Sequence, residues 1–191
     1  KMAAMPQAYG IPEDSWPDEL LELLEKNPDT EHFVLNYPLL KDTVKEINLA
    51  AMAESDDVPT LYQWDTRWGY TQYGDKMMGI SGCGPTCLSM VCIYFLKDAK
   101  YTPRYVADFA EQNGYYTPGF GSNWALMSEG ATQLGLNVVT IPPNAYRIMA
   151  NLEVGNLVLL SMGPGDFTST GHFIVLTGYV DGKISVNDPN S

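Results

Sequence analysis

Apolar and polar positions along this chain follow two rhythms, and the change falls near residue 57. Up to that point the pattern is helical and acidic. "SWPDELLELLEKNP" (15–28) predicts a helix with Ser15 as its cap, Pro17 in the first turn, acids early and Pro28 just past the end. "DTEHFVLNYP" (29–38) offers a short helix closed by Pro38, and "LLKDTVKEINLAAMAE" (39–54) a third, amphipathic one. "ESDDVP" reads as a linker. Residues 1–57 therefore form a helical extension and linker, and 58–191 a second unit.

From Val58 onward Gly, Tyr and Trp become frequent, and helices give way to strands. The longest helix is predicted from Cys83 to about Lys97, with Pro85 in its first turn, where a missing N–H leaves nothing unpaired. A second helix is capped by Thr102, starts at Pro103 and stops at Gly114. A third runs from a cap at Ser122 to Gly135 and leads into a strand at "LNVVTI" (136–141). "NAYRIMANLEVG" is a fourth, weakly amphipathic helix. Strands follow at "NLVLLSM", "HFIVLTGYV" and "KISVND", the last two joined through Asp181-Gly182, a strong hairpin signal. Helices first and antiparallel strands last make an α+β fold.

Composition narrows the function classes. Of 191 residues, 45% are hydrophobic and 18% charged, so the chain is globular rather than disordered. A net charge of −12 argues against nucleic acid or an anionic membrane face as partner, since both demand basic patches. No apolar run approaches the roughly eighteen residues of a membrane span. The opening "KMAAMPQAYG" holds no signal-peptide core. Three cysteines on one predicted helix, at 83, 87 and 92, are no disulfide framework, and with only two histidines in the chain they make no zinc site. No metal or cofactor is called for.

Chemistry enters at "SGCGPTC" (81–87). A lone cysteine is most often a small buried apolar residue. Cys83, however, heads the longest helix, where unpaired N–H groups and the helix dipole favour an anion. Flanking glycines permit a sharp turn and close approach of a substrate. The Cys83 N–H faces where an oxyanion would form. A cysteine nucleophile needs a base. His32 lies among acids on a short helix and reads as solvated. His172 opens an apolar strand after a Gly/Ser/Thr-rich loop, a common place for catalytic groups. A carboxylate or amide should orient the imidazole, and "SVNDPNS" supplies Asn187 and Asp188.

Simple strand geometry does not close this arrangement. A two-residue turn at Asp181-Gly182 pairs Val175 with Asp188 and puts Asp188 on the face opposite His172. A longer turn or a bulge of one residue would correct the face. Register alone does not choose between Asp188 and Asn187.

The motifs "QWDTRW" (63–68), "YG" (73–74), "SGCGPT" (81–86), "GHFIVLTGY" (171–179) and "VNDP" (186–189) together resemble a bacterial papain-like cysteine peptidase of the group related to double-glycine-leader, bacteriocin-processing peptidases (peptidase family thirty-nine of the cysteine peptidases). The resemblance covers about 58–191. It implies a papain-like fold, with the catalytic helix packed on a C-terminal antiparallel sheet. It also implies a Cys-His-Asp triad of Cys83, His172 and Asp188, with Gln63 as oxyanion donor. Gln72, closer to Cys83 in sequence, is the alternative donor. Trp64 and Trp68 read as core or wall, and Cys87 and Cys92 as packing, with Cys87 one helical turn from Cys83. The aromatic, glycine-rich "NGYYTPGFGSNW" (113–124) reads as a cleft wall.

Leader peptidases of this type are usually fused to an exporter. The acidic helical segment here resembles extensions of stand-alone members, which implies an extracellular or cell-surface bacterial protein. That segment either packs on the catalytic unit or covers its cleft as a prosegment would. The chain ends three residues after Asp188, so an incomplete C-terminus is expected. The expected activity is hydrolysis of peptide or protein substrates by a monomer. The alternatives are an amidase or transpeptidase on the same triad, and a catalytically silent peptide-binding module.

Overall fold

The computed structural model describes residues 10–191. The start of the expected 1–57 extension, residues 1–9, lies outside the described residues. The first helix, α1 (Asp18–Lys26), begins after Pro17, whose fixed φ of −59° makes it an N-cap without a side-chain hydrogen bond. Ser15 is not the cap; it closes a separate turn of 3-10 helix, Glu13–Ser15. Asp18 and Glu19 in the first turn and Lys26 in the last complement the helix dipole. Pro28 opens a further 3-10 turn, Pro28–Thr30, leading into α2 (Glu31–Leu35). Pro38 does not close that helix but sits in the first turn of α3 (Tyr37–Leu40), where Pro is well tolerated.

The third expected helix shrinks to α4 (Ala50–Glu54). Ahead of it, residues 43–49 form neither helix nor strand. Lys45, Ile47 and Leu49 are partly or fully buried while Glu46 and Asn48 are exposed, a period of two rather than 3.6. Leu49 packs into the main core, and the Asn48 side chain accepts a 3.0 Å hydrogen bond from the Ala50 N–H. Burial at alternate positions outweighs the modest helix propensity of this stretch.

A tight hairpin of β1 (Gln72–Tyr73) and β2 (Lys76–Met77) leads into α5 (Met78–Ser81) and then α6 (Cys83–Leu96). Gly84 to Ile93 are all buried, so α6 is apolar all round and forms the axis of the core. Lys97, with φ of +53°, ends it in a left-handed cap. In α7 (Pro103–Gln112), Thr102 caps as expected, its hydroxyl accepting from the Tyr105 N–H at 3.1 Å.

Ser122 does not cap a helix. It belongs to β4 (Gly121–Ser122), paired with β3 (Tyr116–Thr117), and a π-helical turn, Leu126–Gly130, then runs into α8 (Ala131–Gln133). Residues 136–141 form no strand. Val139 is 77% exposed there, and β-propensity without a cross-strand partner does not make a ladder. Asn144 caps α9 (Ala145–Glu153), accepting from the Arg147 N–H.

The last three strands, β5 (Val158–Met162), β6 (His172–Val180) and β7 (Lys183–Asn187), form one antiparallel sheet with β6 central. Phe173 and Val175 pack into the α6 core; Ile174 and Leu176 pack against Leu152 and Ile148 of α9. The chain is thus α+β, with the helix headed by Cys83 laid on a C-terminal antiparallel sheet. Among the described residues, no helix is long and apolar enough to cross a membrane.

Candidate active site

Cys83 is the first residue of α6, and sterics fix both of its neighbours. A Cβ on Gly82 would lie 2.5 Å from the Met78 carbonyl oxygen. One on Gly84 would lie 2.3 Å from the Ser122 hydroxyl. The glycines thus let the Met78 carbonyl and the Ser122 side chain pack against the backbone on either side of the cysteine. Of the three free thiols only Cys83 is partly exposed. Cys87 is buried, and its thiol donates to the Phe173 carbonyl at 3.3 Å. Burial, with smaller contributions from charge on Cys83 and Asp188, pushes the Cys87 thiol far up, and burial pushes Cys92 up to about 12.

His172 opens β6 and is 8% exposed. The hairpin turn is the expected two-residue type, with Asp181 at φ +52° and Gly182 at +76°. Its ladder runs regularly from Val180↔Lys183 to Gly178↔Ser185, then resumes at Leu176↔Val186 and Val175↔Asn187. Thr177 is left over as a bulge, which slips the register by one residue. The slip sets position 188 opposite Ile174, on the face that His172 shares at i−2. Asp188 Oδ1 lies 2.6 Å from His172 Nε2. Asn187 points the other way, donating to the Pro59 carbonyl at 3.1 Å.

With Nε2 on Asp188, the remaining ring nitrogen is left for Cys83. Burial lowers the His172 pKa. The hydrogen bond with Asp188, together with the nearby Cys83 and the charge on both groups, outweighs that and raises it to about 9. The raised pKa favours the protonated ring beside the Asp188 carboxylate, an arrangement suited to thiolate chemistry at Cys83.

Gln63 is 3% exposed. Its amide donates to the Gly79 carbonyl at 2.9 Å and the Ile80 carbonyl at 3.2 Å, while Oε1 is buried without a partner. Its backbone N–H donates to the Pro189 carbonyl at 2.8 Å. Gln63 thus bridges the turn that delivers Cys83 and the tail that carries Asp188. Gln72 is exposed on β1, with its carbonyl accepting from Arg104. The rest of "QWDTRW" is scaffold. Asp65 grips Arg67 through two side-chain bonds of 3.0 and 2.7 Å, and buried Trp68 donates to the Tyr62 carbonyl. His32 is exposed on α2.

Two features near the site escape the sequence patterns. Ser122 joins Tyr73 through a 2.6 Å hydroxyl bond beside Gly84. Asp188 Oδ1 also accepts the Asn190 N–H at 2.8 Å, a turn for which "DPN" is a local signal. Among the described residues, no group of three or more His, Cys, Asp or Glu is placed to hold a metal ion.

A family model described as the Peptidase_C39 like family matches residues 55–191. No curated protein and no solved structure matches the chain.

Proposed function

We propose that this chain, which belongs to the Peptidase_C39 like family, is a cysteine peptidase hydrolysing peptide bonds through Cys83, His172 and Asp188. The observation that carries this reading is the 2.6 Å contact of His172 with Asp188 in a ring whose pKa is raised jointly by Asp188 and Cys83.

Cys83 Sγ attacks the scissile carbonyl carbon, and the carbonyl π pair moves to oxygen. The Cys83 N–H at the head of α6 stabilises that oxyanion. Gln63 supplies a second donor by releasing its longer bond, the 3.2 Å contact to Ile80. Collapse breaks the C–N bond as the His172 imidazolium protonates the leaving amine, which leaves a thioester on Cys83. Neutral His172 then takes a proton from water, whose oxygen attacks the thioester and expels the thiolate. Asp188 holds the ring in orientation throughout and stabilises its charged form.

Screening a peptide library with the wild-type chain and Cys83→Ala tests the reading. Cleavage that generates new amino termini, absent in the variant, supports it. Cleavage that persists in the variant overturns it, as does a wild-type chain that only joins peptides or releases ammonia.

A further inference from the structure

The segment before residue 55, outside the matched family region, touches the site from two sides. One contact is made by Phe33. Its ring stacks on Tyr70 at 4.4 Å between centroids and lies so close to Gly69 and Gly79 that a Cβ on either would come within 2.6 Å of it. Gly79 is the residue whose carbonyl holds the Gln63 amide. Tyr70 returns a hydrogen bond to the Phe33 carbonyl at 2.7 Å, and the Trp16 indole fixes the Val34 carbonyl at 2.8 Å. Trp16, Leu20, Leu23, Phe33 and Val34 form a buried cluster of their own, against which Trp64, Tyr70, Met77 and Ile80 pack.

The second contact is polar. Asn27, at the corner between α1 and the Pro28–Thr30 turn, donates its Nδ2 to the Asn190 carbonyl at 2.7 Å. The N–H of that same Asn190 is bonded to Asp188 Oδ1 at 2.8 Å, and this oxygen in turn meets His172 Nε2 at 2.6 Å. The links run unbroken from Asn27 through the Asn190 backbone and Asp188 to His172. The other Asn27 groups are used locally: Oδ1 accepts from the Asp29 N–H, and the carbonyl from the Thr30 hydroxyl. The residue is thereby locked in the rotamer that reaches across. β7 ends at Asn187, so no strand pairing holds residues 188–191. Among the described residues, the tail after β7 is held by the bond from Gln63 to Pro189, by His172 on Asp188 and by the clamp on Asn190.

We infer that Asn27 is a positioning residue for the Cys-His-Asp group, so that the segment before residue 55 works as a buttress of the site rather than as a removable plug. The inference rests on the peptidase reading for its effect on turnover, but its geometry stands apart from the substrate. Small displacements of an orienting group are costly in rate while leaving ground-state binding intact. The ionisable groups acting on His172 are Cys83 on α6 and Asp188 behind β7.

The test is Asn27→Ser in the full chain. Serine can still accept from the Asp29 N–H but is too short to reach Asn190. Two readouts are compared with wild type: the His172 ring titration by NMR, and the rate of Cys83 alkylation by iodoacetamide against pH. Neither requires a substrate. The expected result is a His172 midpoint lower by about one pH unit. On any cleaved peptide, kcat should fall on the order of tenfold with KM unchanged. Lys76→Met, which removes the 2.9 Å contact with Glu19 between the same layers, should leave both readouts in place. If Asn27→Ser lowers the unfolding midpoint while the titration and alkylation profiles stay as in wild type, Asn27 is structural only and the inference is overturned. If Asn27→Ser does not fold, Asn27→Thr, with the same cap on a stiffer side chain, is read in the same way. A shifted titration in a chain that cleaves nothing would keep the positioning role and remove the peptidase assignment, so the two failures are distinct.

Discussion

Asp188 Oδ1 meets His172 Nε2 at 2.6 Å, although Asp188 lies sixteen residues on, just past the end of the strand that a tight two-residue turn joins to β6. The bulge at Thr177 makes the contact possible, because it carries residue 188 to the face of β6 that His172 shares. Asn187, one residue earlier, looks toward α6 and Pro59. Asp188→Ala should therefore lower kcat by orders of magnitude, and Asp188→Asn should retain part of the activity, since an amide oxygen still accepts from the ring. Asn187→Ala should cost about 1 kcal/mol of stability and little turnover. Steady-state kinetics at equal folded fraction compares them; Asn187→Ala as the more damaging change would reverse the assignment of roles.

Cys83→Ser should abolish turnover with the fold unchanged, because a hydroxyl at this position does not ionise as a thiol does. Cys87→Ser should keep most activity, since the buried Cys87 thiol bonds only the Phe173 carbonyl and its ionisation is pushed far up. Mass spectrometry after brief alkylation should find the label on Cys83 alone. Labelling of Cys87 or Cys92 at a similar rate would contradict the burial of both.

The raised pKa of His172, about 9 against an ordinary 6.5, has two pH signatures. Because the folded state prefers the protonated ring, the associated stability is fully present below about pH 6.5 and is lost as pH rises toward 9. The urea midpoint should fall across that window, and less so in Asp188→Asn. On the proposed mechanism the alkaline limb of kcat/KM should lie near pH 9, where the imidazolium form of His172 is lost. A limb near 6.5 would mean that Asp188 and Cys83 do not act on the ring.

Gly84→Ala tests the close approach at the head of α6. The added methyl would meet the Ser122 hydroxyl at 2.3 Å and its Cβ at 2.7 Å, so destabilisation of about 1–3 kcal/mol is expected. Adding Ser122→Gly should recover part of that loss, at the expense of the bond to Tyr73. No recovery in the double variant would place the strain elsewhere.

Local sterics and turn chemistry made the helix start at Cys83 and the last hairpin legible in the chain. Gly82-Cys83-Gly84-Pro85 can do little but start a helix under close neighbours, and Asp181-Gly182 can do little but turn. Strand register alone did not show which of Asp188 and Asn187 faces His172, because a bulge at Thr177 has no side-chain signature; the family resemblance named Asp188. Residues 43–49 misled in another way: their apolar positions fit a helix, but Ile47 and Leu49, two apart, find burial in a stretch that is neither helix nor strand. Val138 and Val139 look like a strand, yet residues 136–141 meet no partner to pair with. The Asn27 clamp spans 163 residues of sequence, and no local pattern encodes a contact of that range.

The irregular stretch at 43–49 also bears on how the protein tolerates being cut. Val44 is fully exposed there, between a helical layer with its own apolar cluster and the body that carries Cys83. A nick at Val44 severs one peptide bond while leaving Phe33 on Gly79, Asn27 on Asn190 and Glu19 on Lys76 in place. The two fragments should travel together through a sizing column and stay active as a noncovalent pair. The extension would then function as a second piece of one enzyme, able to be supplied in trans.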